Sequence, residues 1–446
     1  MSGLPSGWAL AALSDLCKQP EQRVPHADEM FTYIDIASVD RDLKIVSAPQ
    51  RLLGADAPSR ARKLVESGDV IVSMTRPNLN AVALIGKQYN DCIASTGFDV
   101  LKPIEVEPRW IFSAVKSARF VDAMCEKVQG ALYPAVKSAD IREHEIPLPP
   151  LAEQTRIAEK LDELLAQVDA LKARIDAIPA LLKRFRQSVL AAAVSGRLTE
   201  GWGDHSTAVS QASKAPLGEL ITEMRNGLSA KPNEDGKGLP ILRISSVRAG
   251  SVDQTDIRFL ECGEADKERY SLKDGDLLFT RYNGSLELVG VCGLLRQLSH
   301  ATLVYPDKLI RVRCNTDIVL PDYLEIFFSE LSTRQLVMDL VKSTSGQKGI
   351  SGQDLKEIVV TYPDLTEQTE IVRRVEQLFA FADQLEAKVA SAKSRIDHLT
   401  QSILAKAFRG ELVSQDPNDE PASVLLERIK AQRAAAPKAK RGRKSA

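Results

Sequence analysis

Two short stretches carry side chains suited to reading a surface rich in hydrogen-bond acceptors. Thr75-Arg76-Pro77-Asn78 and Thr280-Arg281-Tyr282-Asn283-Gly284 each place an Arg and an Asn in a turn that leaves an apolar run. The planar fork of Arg pairs with guanine edges and Asn with adenine edges, while Tyr and Lys reach phosphates. A single loop Arg is ordinarily a solvated surface residue. The recurrence of the Thr-Arg exit makes Arg76, Asn78, Arg281, Tyr282 and Asn283 candidate DNA contacts. A second, Gly-bearing loop follows in each half, Gly130 to Lys137 and Ser345 to Ser351, and adds Tyr133, Lys137 and Lys348 to the candidates.

Catalytic constellations are missing. There is no G-x-x-x-x-G-K-[ST] phosphate loop, because Asp235-Gly236-Lys237-Gly238 lacks the upstream Gly and the following hydroxyl. G-x-G-x-x-G, G-x-S-x-G and H-E-x-x-H are absent too. Pro321-Asp322 with Glu325 has carboxylates without the Lys of a nuclease pattern and reads as a helix start. Six Cys and five His are scattered without a close pair, so no metal site is expected.

The chain has 446 residues, which at roughly 100–200 residues per domain implies two to four domains. No stretch approaches the roughly 18 apolar residues of a membrane span, and Met1-Ser2-Gly3-Leu4-Pro5 is not the start of a signal peptide. A cytoplasmic protein without a membrane partner is expected. Formal net charge is −1, but Arg428 to Ala446 holds eight basic residues and no acidic one. The body before that tail is therefore acidic, and a grip on nucleic acid has to be local or shared with a partner. The Ala/Pro/Lys/Arg composition of the tail suggests a flexible end after a short helix within 414–446.

These loops need elements to position them, and an internal repeat supplies the plan. Leu151-Ala152-Glu153-Gln154-Thr155 recurs 214 residues later as Leu365-Thr366-Glu367-Gln368-Thr369. The same offset carries Gln187 to Ala191 onto Gln401 to Ala405, without a gap. Both copies, 147–200 and 363–413, show an apolar residue every 3.5 positions. In the first these include Ile157, Leu161, Leu164, Val168, Leu171 and Ile175; in the second Ile371, Val375, Leu378, Leu385, Val389, Ile396 and Leu399. A stripe with that period predicts a long helix packed on another, as in a coiled coil. Asp364 with Glu367 predicts a capping box, Gly196 and Gly410 left-handed C-terminal residues, and Pro179 a kink near Ile175–Ile178.

The globular stretches before the helices, 1–146 and 205–362, share fainter features in the same order. Tyr33 to Val39 corresponds to Ile241 to Val247, and Gly68-Asp69-Val70 to Gly275-Asp276-Leu277, each of the latter opening a buried strand that ends in Thr-Arg. Two diverged globular units on two well-matched helices suggest one scaffold with two specificities.

Pro147-Leu148-Pro149-Pro150-Leu151-Ala152-Glu153-Gln154, its degenerate echo Tyr362 to Gln368, and the helix ends Leu190 to Leu198 and Leu404 to Leu412 together resemble the specificity subunit of type I restriction–modification enzymes. The likeness covers the chain to about residue 413. It implies an α+β (mixed α/β) fold: two target-recognition domains joined by two long antiparallel coiled-coil helices acting as a ruler. It also implies a non-catalytic reader of a bipartite, asymmetric site in double-stranded DNA. Two modification subunits using S-adenosylmethionine would methylate adenines, and restriction subunits would use ATP and Mg to translocate and cut. A cytoplasmic coiled-coil scaffold for proteins is the alternative from the residues alone. A related system with a fused methyltransferase–nuclease partner would differ only in its partner.

Overall fold

The two heptad segments fold as helices of 44 residues each, Leu151–Val194 and Leu365–Phe408. Asp364 caps the second, its Oδ1 accepting the Glu367 N–H at 2.9 Å. Gly196 and Gly410 follow the helices in the left-handed region, at φ +76° and +72°. Pro179 is exposed and sits inside the first helix, which runs on through it to Val194. The missing N–H deprives the Ile175 carbonyl of its partner, one backbone bond in the helix.

The computed structural model describes residues 3–128, 134–202, 212–344 and 347–435. They divide into two units, 1–175 with 391–446, and 176–390, so each unit takes a globular segment and part of both long helices. Within each unit the helices are antiparallel. In the first, Lys172 lies 3.9 Å from Asp397 while Arg156 reaches Asp419 at 2.6 Å; in the second, Arg186 meets Asp383 and Thr199 meets Glu367.

The apolar seam is unevenly covered. Ile157, Leu161, Val168, Ile371 and Val375 are buried, and Leu164, Ile175, Leu378, Leu385, Val389 and Ile396 half-buried. Leu171 and Leu399 are corrected from seam to surface, at 46% and 43% exposure. Near its ends the seam is covered by a helix and a globular segment together. Farther along, one partner helix shields only part of a side chain.

In the first unit the buried strand Val70–Ser73 pairs antiparallel with Phe98–Pro103 and Val82–Leu84. A second sheet orders Gln50–Leu53, Met30–Ile34, Cys92–Ser95 and Ala61–Val65, with a parallel pair at its centre. In the second unit the buried strand Leu277–Thr280 holds the place of Val70–Ser73, between Leu309–Cys314 and Cys292–Leu294. Four of burial's consequences repeat. Gly68 and Gly275 turn with positive φ, each against the ring of the Pro that starts a helix, Pro108–Lys116 or Pro321–Ser329. Trp110 in one helix donates to the Pro147 carbonyl (3.1 Å), and Tyr323 in the other to the Thr361 carbonyl (2.8 Å). Ala9–Ala12 pairs with Glu145–Leu148 as Ser213–Pro216 pairs with Val359–Tyr362. Ser117 and Glu330 cap the next helix of each unit.

The clearest repeat is a buried Gln at each long helix's first turn. Gln154 accepts the Glu107 N–H (3.0 Å) and donates to the Pro149 carbonyl (2.8 Å). Gln368 accepts the Leu320 N–H (2.8 Å) and donates to the Ile318 and Pro363 carbonyls (3.0 and 2.8 Å). Both side chains are fully enclosed. Each amide locks the start of a globular helix to the start of a long one. Gln368→Leu removes these bonds and leaves buried backbone groups without partners, at about 1–3 kcal/mol per group. The second unit is expected to lose about 3 kcal/mol against urea, with the first unchanged; equal loss in both would refute a local clamp.

The short helix expected within 414–446 is present, and it is packed into a core. Ala422–Ala435 is a helix whose Ala422, Leu425 and Ile429 are fully buried in the core of the first unit. Spacing of three and four puts these on one face, and the charge count of the segment hides them. The Ala422 N–H bonds the Gly7 carbonyl (2.8 Å), Arg428 pairs with Glu105 and Glu420, and Arg433 donates to the Ser14 and Asp15 carbonyls. Residues 436–446, with the other tail basics apart from exposed Lys430, lie outside the described residues.

Candidate nucleic-acid interface

In both units the Thr-Arg exit and the later Gly-bearing loop are brought side by side. In the first, Thr75 and Ala135 form an antiparallel bridge, the Arg76 N–H donates to the Pro134 carbonyl (2.8 Å) and the Val136 N–H to the Met74 carbonyl (2.8 Å). In the second, the short strand Tyr282–Asn283 pairs with Gly349 and Lys348 of Gln347–Gly349, which Lys342–Thr344 extends to three strands. The Ile350 N–H closes this arrangement on the Arg281 carbonyl at 3.0 Å. Asp140 and Asp354 then accept the N–H groups of Lys137 and Ser351, at 2.7 and 3.0 Å, and start a short helix. Hydrogen bonds from Ser351 and Lys342 hold the Asp354 carboxyl below the usual carboxylate range.

The two loop pairs present different surfaces. Arg76 is exposed with its backbone at φ +48°, ψ 63°, a left-handed conformation rare for a residue with a Cβ. Asn80 closes the turn Pro77–Leu79 with φ +44°, and Lys44 donates Nζ to the Asn80 carbonyl at 2.6 Å. Asn78 and Lys137 are exposed on the same rim, and Tyr133 lies outside the described residues. Arg281, by contrast, is half-buried. Its guanidinium lies 4.6 Å from the centre of the Tyr282 ring, and Nη1 reaches the Asp307 carbonyl at 3.4 Å. Asn283 accepts the Ser285 N–H through its Oδ1 (3.0 Å), and Lys348 is half-buried. Gly349 admits the Tyr282 ring, since a Cβ there would come within 2.4 Å of two ring carbons.

Both rims offer charged and amide donors on backbone fixed by neighbouring strands, an arrangement for binding acceptors. Among the described residues, no group of three or more His, Cys, Asp and Glu is placed to hold a metal ion. No described helix is long and apolar enough to cross a membrane.

The comparisons with known proteins speak to what such a pair of units is. The family model for the type I restriction modification DNA specificity domain matches twice, at residues 5–180 and 215–392. The chain belongs to the specificity subunits of type I restriction–modification enzymes. It is 46% identical to the EcoKI specificity subunit of Escherichia coli (strain K12), over 99% of this chain and 98% of that one. The crystal structure of the HsdS subunit from Thermoanaerobacter tengcongensis matches with a TM-score of 0.64 and 26% identity, covering 92% of this chain and 98% of the other. A structure from work on complex assembly and conformational transition of the type I R-M system matches with a TM-score of 0.69 and 26% identity, covering 92% and 100%.

Within this specificity subunit, two positions that hold the rims had no mark in the sequence. Lys44 lies on a hairpin far upstream of Arg76. Burial pulls its ammonium below the ordinary lysine value, with Asp42 and Asp40 acting the other way. Lys342 pairs with Asp354 at 2.9 Å beside Lys348. Neither position has a periodic or motif signal. Both are defined by contacts between distant segments.

Proposed function

We propose that this specificity subunit reads a bipartite, asymmetric site in double-stranded DNA, one unit for each half-site. The observation that carries the reading is the repeated pairing of the Thr-Arg exit with the later loop, with unlike side chains on the two rims. Arg76, Asn78 and Lys137 would serve one half-site, and Arg281, Tyr282, Asn283 and Lys348 the other. The chain directs adenine methylation and restriction without performing either. Two methyltransferase subunits, binding S-adenosylmethionine, and restriction subunits, using ATP and Mg, supply that chemistry in the cytoplasm. The shortage of positive charge in the body fits a reader that holds DNA through a few loops, with partner subunits completing the grip.

Mapping methylated adenines in cells that express this chain with its modification subunits tests the reading. A two-part motif with an unspecified spacer is the expected outcome. Exchanging residues 1–146 for those of another family member should then change one half of the motif and leave the other. A change in both halves would contradict one reader per unit.

A further inference from the structure

We propose that the first unit reads a guanine beside a thymine in a pocket flanked by Arg41 and Arg76, which makes Arg41 a specificity-determining residue. The inference rests on the reading of each unit as a DNA half-site reader and names what one of them recognises.

Arg41 and Arg76 are 35 positions apart in the chain, and the fold sets them around one cavity of about 140 Å³ with Ile36, Thr75, Leu79 and Ala81. Arg41 occupies the turn between the paired strands Val39–Asp40 and Ile45–Val46. That turn satisfies itself: the Asp40 carboxylate accepts the N–H groups of Asp42 and Leu43 at 2.9 Å, and the Asp40 carbonyl that of Lys44. Asp40, next to Arg41 in the chain, thus engages backbone. Among the described residues, no side-chain hydrogen bond or ion pair engages either guanidinium, whereas the buried Arg142 is held by Asp99. Two exposed cations, neither in an ion pair among the described residues, flank a pocket whose Ala81 is buried and whose Ile36 and Leu79 are half-buried.

The backbone is fixed in place to hold them there. Lys44, Arg76 and Asn80, at φ +57°, +48° and +44°, are three of six residues other than Gly with positive φ among the described residues. The bond from Lys44 Nζ to the Asn80 carbonyl joins two of them, and Arg76 and Asn80 bracket the turn Pro77–Leu79. Such conformations persist where surroundings over-determine them, and they cluster at binding sites.

The ligand chemistry follows from the lining. The volume is below the 300–1,000 Å³ or so of small-molecule sites. Two guanidinium forks call for paired acceptors, and a guanine presents O6 and N7 in the major groove. A phosphate would also satisfy the cations, but it gains nothing from an apolar floor. The thymine C5-methyl is the apolar feature of the major groove and matches Ile36, Leu79 and Ala81. In the second unit Arg281 is instead held against the Tyr282 ring and the Asp307 carbonyl.

The test is binding of the complex with modification subunits to a pool of random duplexes, for the wild type and for Arg41→Ala, Arg41→Lys and Leu79→Ala. Arg41→Ala should relax a guanine in one half-site, leave the other half-site intact, and weaken binding to the wild-type site roughly 10- to 100-fold. Arg41→Lys should relax the same position, since an ammonium lacks the fork. Uracil in place of the neighbouring thymine should weaken the wild type several-fold and Leu79→Ala hardly at all. Thermal unfolding of the Arg41 variants should match the wild type, because the side chain is exposed. Even weakening of all duplexes with an unchanged motif would indicate a phosphate contact and overturn the proposal. So would an unaltered motif at unaltered affinity, or a relaxed position other than a guanine beside a thymine. If the wild-type complex selected no two-part sequence, this inference would fall together with the reading on which it rests.

Discussion

Leu425→Ala is expected to destabilise the first unit by about 3 kcal/mol, and truncation after Glu420 to prevent that unit from folding. Leu425 and Ile429 are fully buried in the core that also contains Leu13, Leu16, Trp8 and Trp110. Deleting a buried Leu side chain removes its transfer energy and leaves a cavity, together about 2–5 kcal/mol. Truncation removes Ala422, Leu425 and Ile429 at once. It also strips the Gly7 carbonyl and the Ser14 and Asp15 carbonyls of their partners. A domain stability of about 5–15 kcal/mol does not survive that loss. Trp8 and Trp110, 5.9 Å apart in this core, report its unfolding by fluorescence in urea. Val424→Ala is the control, since Val424 is exposed and should shift the midpoint by less than about 0.5 kcal/mol. Equal midpoints for Leu425→Ala and the control would show that the helix does not support the core.

Arg281→Ala is expected to cost the complex roughly 100-fold in affinity for its own site and to relax one position in one half-site. The side chain is already oriented by the Tyr282 ring and by one long bond to the Asp307 carbonyl. Its Nε is buried with no hydrogen-bond partner in the structure. An oriented fork with unfilled donors loses less entropy on binding than a free surface Arg. Arg281→Lys should recover little, because an ammonium is a point charge. The salt dependence of binding should stay near that of the wild type if the contact is to a base, and its slope should fall by about one if it is to a phosphate. The half-site read by the first unit should be unchanged in every variant. Motifs recovered from methylated DNA check this, and alteration of both halves would show that Arg281 supports the fold or the assembly instead.

What could be read from the chain alone was whatever repeats or acts locally. Seam positions such as Ile157 and Ile371 follow from periodicity, the Asp364 cap from three neighbouring residues, and the Gly196 and Gly410 ends from backbone sterics that need no partner. The repeat of Leu151 to Thr155 at Leu365 to Thr369 was legible for the same reason, and with it two domains on two helices.

Only tertiary structure decided the rest. Thr75 meets Ala135 and Tyr282 meets Gly349 across about sixty residues, so candidates on separate loops became one rim in each unit. It withdrew Leu171 and Leu399 from the seam and drew Leu425 and Ile429 out of an apparently polar tail into a core. It set Arg41 beside Arg76, and Gln154 beneath Glu107. Heptads and caps encode how a segment bends and which face is apolar. Which distant segment covers that face is fixed by side-chain packing summed over the whole unit, and no short window of sequence contains that sum.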